Sequence, residues 1–176
     1  AIIAREVNGV NGVNGVNGLN GLDGGNGEFL ARCRGFLHEP GISVVRDARV
    51  ATAAGRVHAM HDPTEGGLAT GLRELAEAAG VGLEVEVDAI PILPETQALC
   101  ARLGLDPLGL IASGALLLAV AREDAETVLS ALEASGIAAA RIGQVVEPNQ
   151  GVALHSATGT RPVPHFERDE IARLFE

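Results

Sequence analysis

His58-Ala59-Met60-His61-Asp62-Pro63-Thr64-Glu65-Gly66-Gly67-Leu68 takes an apolar strand into a polar turn, and the turn opens a helix. Val57 to Met60 has the β-branched, apolar start of a buried strand, and Pro63 stops it because proline offers no N–H to a ladder. Thr64 stands where an N-cap belongs, with Glu65 in the first turn, where a carboxylate suits the positive end of the helix dipole. Leu68, Leu72, Leu75, Ala76 and Ala79 follow at helical spacing, which predicts an amphipathic helix ending at Gly80. A strand that feeds a helix packed back on a core is the unit of an α/β fold.

Gly66-Gly67 is the unexpected part. Glycine within a helix costs about 1 kcal/mol relative to alanine, and here two fall in the first turn. With Thr64 as cap, both would carry N–H groups lacking an intrahelical partner, and without a Cβ an anion could approach the backbone. The pair therefore points to a phosphate or carboxylate site. The competing expectation is that the glycines only let the helix start pack tightly on its neighbours.

Outward from this stretch, Leu83 to Val87 alternates apolar and acidic residues, as a strand with one wet face does. Glu95 to Leu103 reads as a helix stopped by Gly104, and Leu105 to Leu110 as a turn-rich loop. Ala115 to Ala121 is a continuous apolar run, expected as a central strand buried on both faces. Glu123 to Ser135 reads as a helix, Ala139 to Val146 as a strand and Val152 to His155 as a shorter edge strand. Arg168 to Phe175 reads as a last helix. On the N-terminal side, Glu28 to Leu37 is helical, with Phe29, Leu30, Cys33, Phe36 and Leu37 on one face. An alanine-rich helix then runs to about Ala54 and ends at Gly55. The alternation predicts a mixed sheet with helices packed on it, an α/β (α+β) fold. Val7 to Gly27 is a run of Val-Asn-Gly-like triplets, rich in residues that tolerate positive φ, and is expected to be a linker or loop.

The chain has 176 residues, 47% of them hydrophobic, enough for a full core. Its formal net charge of -10 argues against a nucleic-acid or anionic-membrane partner. All 13 basic residues are arginine, so neither a Walker-type phosphate loop nor a Schiff-base lysine is present in this sequence. Cys33 and Cys100 read as buried thiols of a reducing compartment, and the protein as cytoplasmic. His58 and His61 would point to opposite faces of a strand, so no metal site is expected from them. His61 suits a ligand-facing or turn-stabilising role, and Asp62 can bind a ligand hydroxyl or accept from helix N–H groups. Ser113-Gly114 lacks the flanking glycine of a nucleophile elbow. His155 and His165 read as surface or edge residues, and no complete catalytic constellation is visible.

Met60-His61-Asp62-Pro63-Thr64-Glu65-Gly66-Gly67-Leu68, together with Gly104-Leu105-Asp106-Pro107-Leu108-Gly109-Leu110 and Ala112-Ser113-Gly114-Ala115-Leu116-Leu117, resembles the C-terminal domain of the aminoimidazole ribonucleotide (AIR) synthase superfamily. That superfamily includes hydrogenase maturation factors, selenophosphate synthetase and thiamine-monophosphate kinase. The likeness runs from about Glu39 to Phe175 and is greatest to the hydrogenase expression/formation type.

The resemblance implies a substrate-side domain of an ATP-dependent synthetase or phosphotransferase. ATP and magnesium would belong to a preceding N-terminal domain that also forms a homodimer. It implies a division into residues 1–6 as the tail of that domain, 7–27 as the linker and 28–176 as the C-terminal domain. A substrate or anion site at the inter-domain cleft would use His61, Asp62, Thr64, Glu65, Gly66, Gly67, Ser113 and Gly114, with the catalytic groups unassigned. The alternative is a non-catalytic module that binds an anionic metabolite or docks a partner. Two departures bear on mechanism: the hydrogenase branch ends in a cysteine where this chain ends Arg173-Leu174-Phe175-Glu176, and Glu65 stands where that branch often has arginine.

Overall fold

The computed structural model describes the backbone of Ile2–Arg5 and the whole of Glu28–Phe175. The triplet repeat of residues 7–27 lies outside the described residues. In chain order the strands are β1 (Ile2–Arg5), β2 (Val57–His61), β3 (Gly82–Glu86), β4 (Leu117–Val120), β5 (Ala139–Val146), β6 (Val152–Ser156) and β7 (Gly159–Pro162). The α-helices are α1 (Glu28–Gly35), α2 (Val45–Ala54), α3 (Gly67–Ala79), α4 (Pro94–Leu103) and α5 (Ala125–Ala134).

The strands form one sheet in the order β2-β4-β1-β5-β3-β6-β7. β3 and β6 run parallel and the other neighbours antiparallel. Each face carries its own core. On one face α3 lays Leu68, Leu72 and Ala76 against Leu83, Val85, Leu117, Ile142 and Leu154. On the other, α2 and α5 bring Ala51, Val128 and Leu132 against Leu116, Leu118 and Val120. Each fully buried leucine adds about 1.5–3 kcal/mol, so the alternate residues of β4 clamp both layers to the sheet. β4 is buried along its whole length, as its apolar run predicts. The mixed sheet with helices packed on it agrees with the expected fold class.

Several sequence expectations are corrected. Ile2–Arg5 is a strand of this sheet, paired with β4 on one side and β5 on the other, an element that the sequence reading did not assign. β6 is not the edge, because β7 returns from a Ser156–Gly159 turn and pairs outside it. β7 is short, exposed and ends in proline, so it carries no periodic apolar signal. Gly55 ends α2 in an extended conformation, φ -171°, not as a left-handed stop; a Cβ there would lie 2.7 Å from Asp124 Cβ, so its smallness is what matters. α1 stops at Gly35 and fully buries only Cys33, leaving Leu37 exposed. The last helix is a 3-10 segment, Glu170–Phe175.

Candidate functional site

β2 and β4 deliver the two motif loops to the same end of the sheet, since His61 stands opposite Leu117 in their register. There the chain turns through Asp62–Gly67 into α3, and Ala112–Gly114 leads into β4. One backbone atom joins them: Thr64 O accepts from Gly67 N at 3.1 Å and from Ala112 N at 3.1 Å.

The start of α3 differs from the expected cap. Gly66 is the N-cap, at φ 72°, with no side-chain cap, and Gly67 follows at φ 64°. Thr64 contributes its carbonyl, not its hydroxyl. Two consecutive residues in the left-handed region favour glycine on conformational grounds. Space decides it as well: a Cβ on Gly67 would lie 2.5 Å from both Leu108 O and Leu110 O, and one on Gly66 would collide with the Thr70 hydroxyl. The tight-packing expectation therefore accounts for the pair.

The two amides are also occupied. Gly67 N is bonded to Thr64 O, and Gly66 N donates to Asp169 Oδ2 at 2.9 Å. A carboxylate of the chain itself thus sits where an anionic ligand was expected. Asp169 belongs to a C-terminal segment fastened at further points: its Oδ1 accepts from Ile171 N at 3.0 Å, and buried Glu170 accepts from Asp106 N and from Arg173, each at 2.8 Å. Phe166 lies over Gly109, where a Cβ would come within 2.6 Å of its ring. Sequence reasoning missed Asp169 and Glu170. Asp169 does carry a local capping signature, since it accepts from the N–H two residues on; its reach to Gly66 across the fold leaves no mark in the sequence.

Asp62, Thr64 and Glu65 are exposed at this end and Ser113 is half-buried, so these side chains remain on the solvent side of the turn. Gly114 is buried, at φ 95°. His61 turns away from them, its Nε2 2.7 Å from Glu74 Oε2 on α3, which ties the end of β2 to the helix. Exposure alternates along β2, with His58 exposed and His61 half-buried, while the register against β4 shifts between Val57 and Ala59. His165 pairs with Arg73, and His155 Nδ1 lies 2.9 Å from Thr160 Oγ1 on β7.

Cys33 and Cys100 are both buried, as expected. Burial pushes the Cys100 thiol up to about 11, with Asp106 and Glu170 adding to the shift. A thiol that holds its proton in this way is a poor nucleophile at neutral pH.

Among the described residues no group of three or more His, Cys, Asp or Glu comes together to hold a metal ion. The Gly66 and Gly67 amides, where a phosphate was expected, are bonded within the chain. No helix among the described residues is long and apolar enough to cross a membrane.

The fold is shared with the hydrogenase maturation protein HypE of E. coli, whose crystal structure matches with a TM-score of 0.65 at 36% identity, over 74% of this chain and 42% of the other. Residues 39–155 match the model of the AIR synthase related protein, C-terminal domain, and the chain belongs to that family. The carbamoyl dehydratase HypE of Rhizobium leguminosarum bv. viciae is 44% identical over 129 residues, which are 71% of this chain and 37% of that protein. A crystal structure of the hydrogenase maturation protein HypE in complex with ATP superposes with a TM-score of 0.70 at 28% identity, covering 95% of this chain and 50% of the other. A HypE–HypF complex matches with a TM-score of 0.64 at 25% identity over 70% of this chain and 41% of the other. The chain thus spans little more than a third of the length of the curated relatives it matches.

Proposed function

We propose that the chain is the substrate-side, C-terminal domain of an ATP-dependent enzyme of the HypE kind, completed by a preceding domain that brings ATP and magnesium and forms the homodimer. The observation that carries this is the meeting of Asp62–Gly67 and Ala112–Gly114 through Thr64 O at one end of the sheet, in a chain of this family. Because the Gly66 and Gly67 amides are engaged, the groups that would meet a substrate are the side chains of Asp62, Thr64, Glu65 and Ser113. Two carboxylates and two hydroxyls suit N–H or O–H donors of an amide-bearing substrate, or a phosphate whose charge a cation offsets. Their role is to bind and orient the group whose oxygen is activated by phosphorylation, not to supply the phosphoryl group.

A second reading has its own support. The internal carboxylate on Gly66 N is what a domain without an anion-binding duty would keep, so a non-catalytic docking module remains the alternative.

The test is to express the longer reading frame and compare wild type with Asp62→Asn and Thr64→Val. The proposal expects ATP binding unchanged in both variants and ATP-dependent turnover of a carbamoylated acceptor reduced at least about tenfold, the loss of one good polar contact in a transition state. Unchanged turnover in both variants would remove these side chains from the site. A full-length protein that binds no ATP would favour the docking module.

A further inference from the structure

α2 and α5 lie antiparallel on one face of the sheet. Arg56 N, just past the end of α2, donates to Asp124 Oδ2 ahead of α5 at 2.8 Å, and Arg46 Nη2 at the start of α2 donates to Ser135 O beyond α5 at 2.5 Å. Two surface features meet at the second junction. The first is apolar and basic. Gly41 N closes a turn onto Phe36 O at 3.2 Å, and Ala48 N opens α2 on Val44 O at 3.0 Å, so the stretch from 37 to 45 is folded back on itself. It leaves Leu37, Ile42 and Val45 47%, 50% and 56% exposed, a cluster of large apolar side chains where single ones are the norm. Arg46, Arg49 and His38 stand exposed beside them. The basic character is local: residues 28–56 hold five arginines against three carboxylates, whereas residues 57–176 hold seven against eighteen. The second feature is apolar and acidic. Glu126, Leu129, Ser130 and Glu133 fall at helical spacing along one side of α5, and with Pro91 and Ile137 they line a groove of about 450 Å³. Glu133 and Ile137 flank Ser135, so the groove begins where Arg46 of the patch reaches α5.

We propose that this surface pairs with a second copy of the chain about a twofold axis, the 37–45 turn of each copy entering the α5 groove of the other. Charge selects the occupant. Apolar side chains flanked by arginines fit an apolar groove edged by two carboxylates, and this chain carries both. Their adjacency supplies the symmetry, because in a twofold contact a copy whose patch meets a groove has its own groove met in return. The contact uses residues of this chain alone and is separate from the homodimer assigned to a preceding domain.

The test is sedimentation equilibrium of the 176-residue chain between about 10 μM and about 1 mM. The wild type should show a reversible monomer–dimer equilibrium that weakens as salt is added. Val45→Asp, Arg49→Glu and Glu133→Arg each replace an exposed residue, so the fold is retained, read as an unchanged Tm. Each should raise the dissociation constant at least about tenfold, since every substitution acts twice in a twofold dimer. Mixed in equal amounts, the Arg49→Glu and Glu133→Arg chains should recover dimers, because both reciprocal contacts then join opposite charges. A wild type that stays monomeric throughout would overturn the proposal, and so would a dimer that none of the three variants weakens or a mixture that recovers nothing. A monomeric wild type that binds a peptide of alternating leucine and glutamate through Val45 and Arg49 would also overturn it, and would give the patch to a different protein.

Discussion

Gly67→Ala is the sharpest test of how the turn is built, because two separable costs meet at that residue. Holding alanine at φ 64° costs about 1–2 kcal/mol. Its Cβ would press on Leu108 O and Leu110 O at 2.5 Å, and neither is the end of a flexible side chain. Relief requires the 107–110 turn to move away from α3, an overpacking cost of about 1–3 kcal/mol. The sum, about 3 kcal/mol, lowers Tm by about 6–12 °C for a chain of this size. Gly104→Ala is the matched control, since Gly104 has φ 66° and nothing within 4 Å of an added Cβ. It carries the strain without the clash, and the gain from a less flexible unfolded chain is common to both variants. Thermal unfolding followed by circular dichroism should therefore give a drop of about 2–8 °C for Gly104→Ala and a larger one, about 6–12 °C, for Gly67→Ala. Equal drops would mean that conformational strain alone explains Gly67, and the close approach of the 107–110 turn would lose its part in the argument.

Asp169→Ala removes a charged acceptor from Gly66 N and should cost about 1.5–3 kcal/mol; native-state hydrogen exchange at the Gly66 amide should accelerate by a factor of ten or more, whereas an unchanged rate would deny the contact. Gly109→Ala drives a methyl group into the Phe166 ring and should release the C-terminal segment, read as faster exchange at Ile171 and Ala172 without loss of the sheet. Cys100 gives a pH prediction. Its thiol holds its proton up to about 11 in the fold against an ordinary 9.0 when exposed, so it favours the folded state fully below pH 9. That contribution is lost as pH rises through about 11. Stability of the wild type should fall between those values, and a Cys100→Ala variant should show a flatter profile over the same window in urea titrations.

The legible parts of the fold were those where a local pattern has one solution. α3 ends at Gly80 in the left-handed conformation as the sequence says, α4 stops at Gly104 in the same way, and the limits of β5 are those expected. β4 was visible because seven apolar residues in a row can only be buried. What stayed hidden depends on partners distant in sequence. Thr64 looks like a cap because its neighbours fit one, but the backbone of 108–110 approaches so closely that the chain must turn left-handed at Gly66 and Gly67, which moves the helix start onward. β7 escaped because four exposed residues have no pattern to read, and only the exposed edge of β6 calls for them. At the site, the residues of the glycine motif were legible. That Asp169 takes the Gly66 amide was not, since no local rule links positions 103 residues apart in the chain.

The central place of β1 has a consequence for synthesis. Ile2–Arg5 leaves the ribosome well before its neighbours, β4 and β5, which emerge more than a hundred residues later. Until then an apolar strand waits with both edges unpaired, a state that invites pairing with other chains. Assembly of the sheet is also slow to nucleate, because its middle depends on the most distant contacts in the chain. Production of this domain should therefore be limited by nascent-chain aggregation before it is limited by the stability of the finished fold. Slower translation or a holdase chaperone should raise soluble yield where a stabilising surface substitution does not.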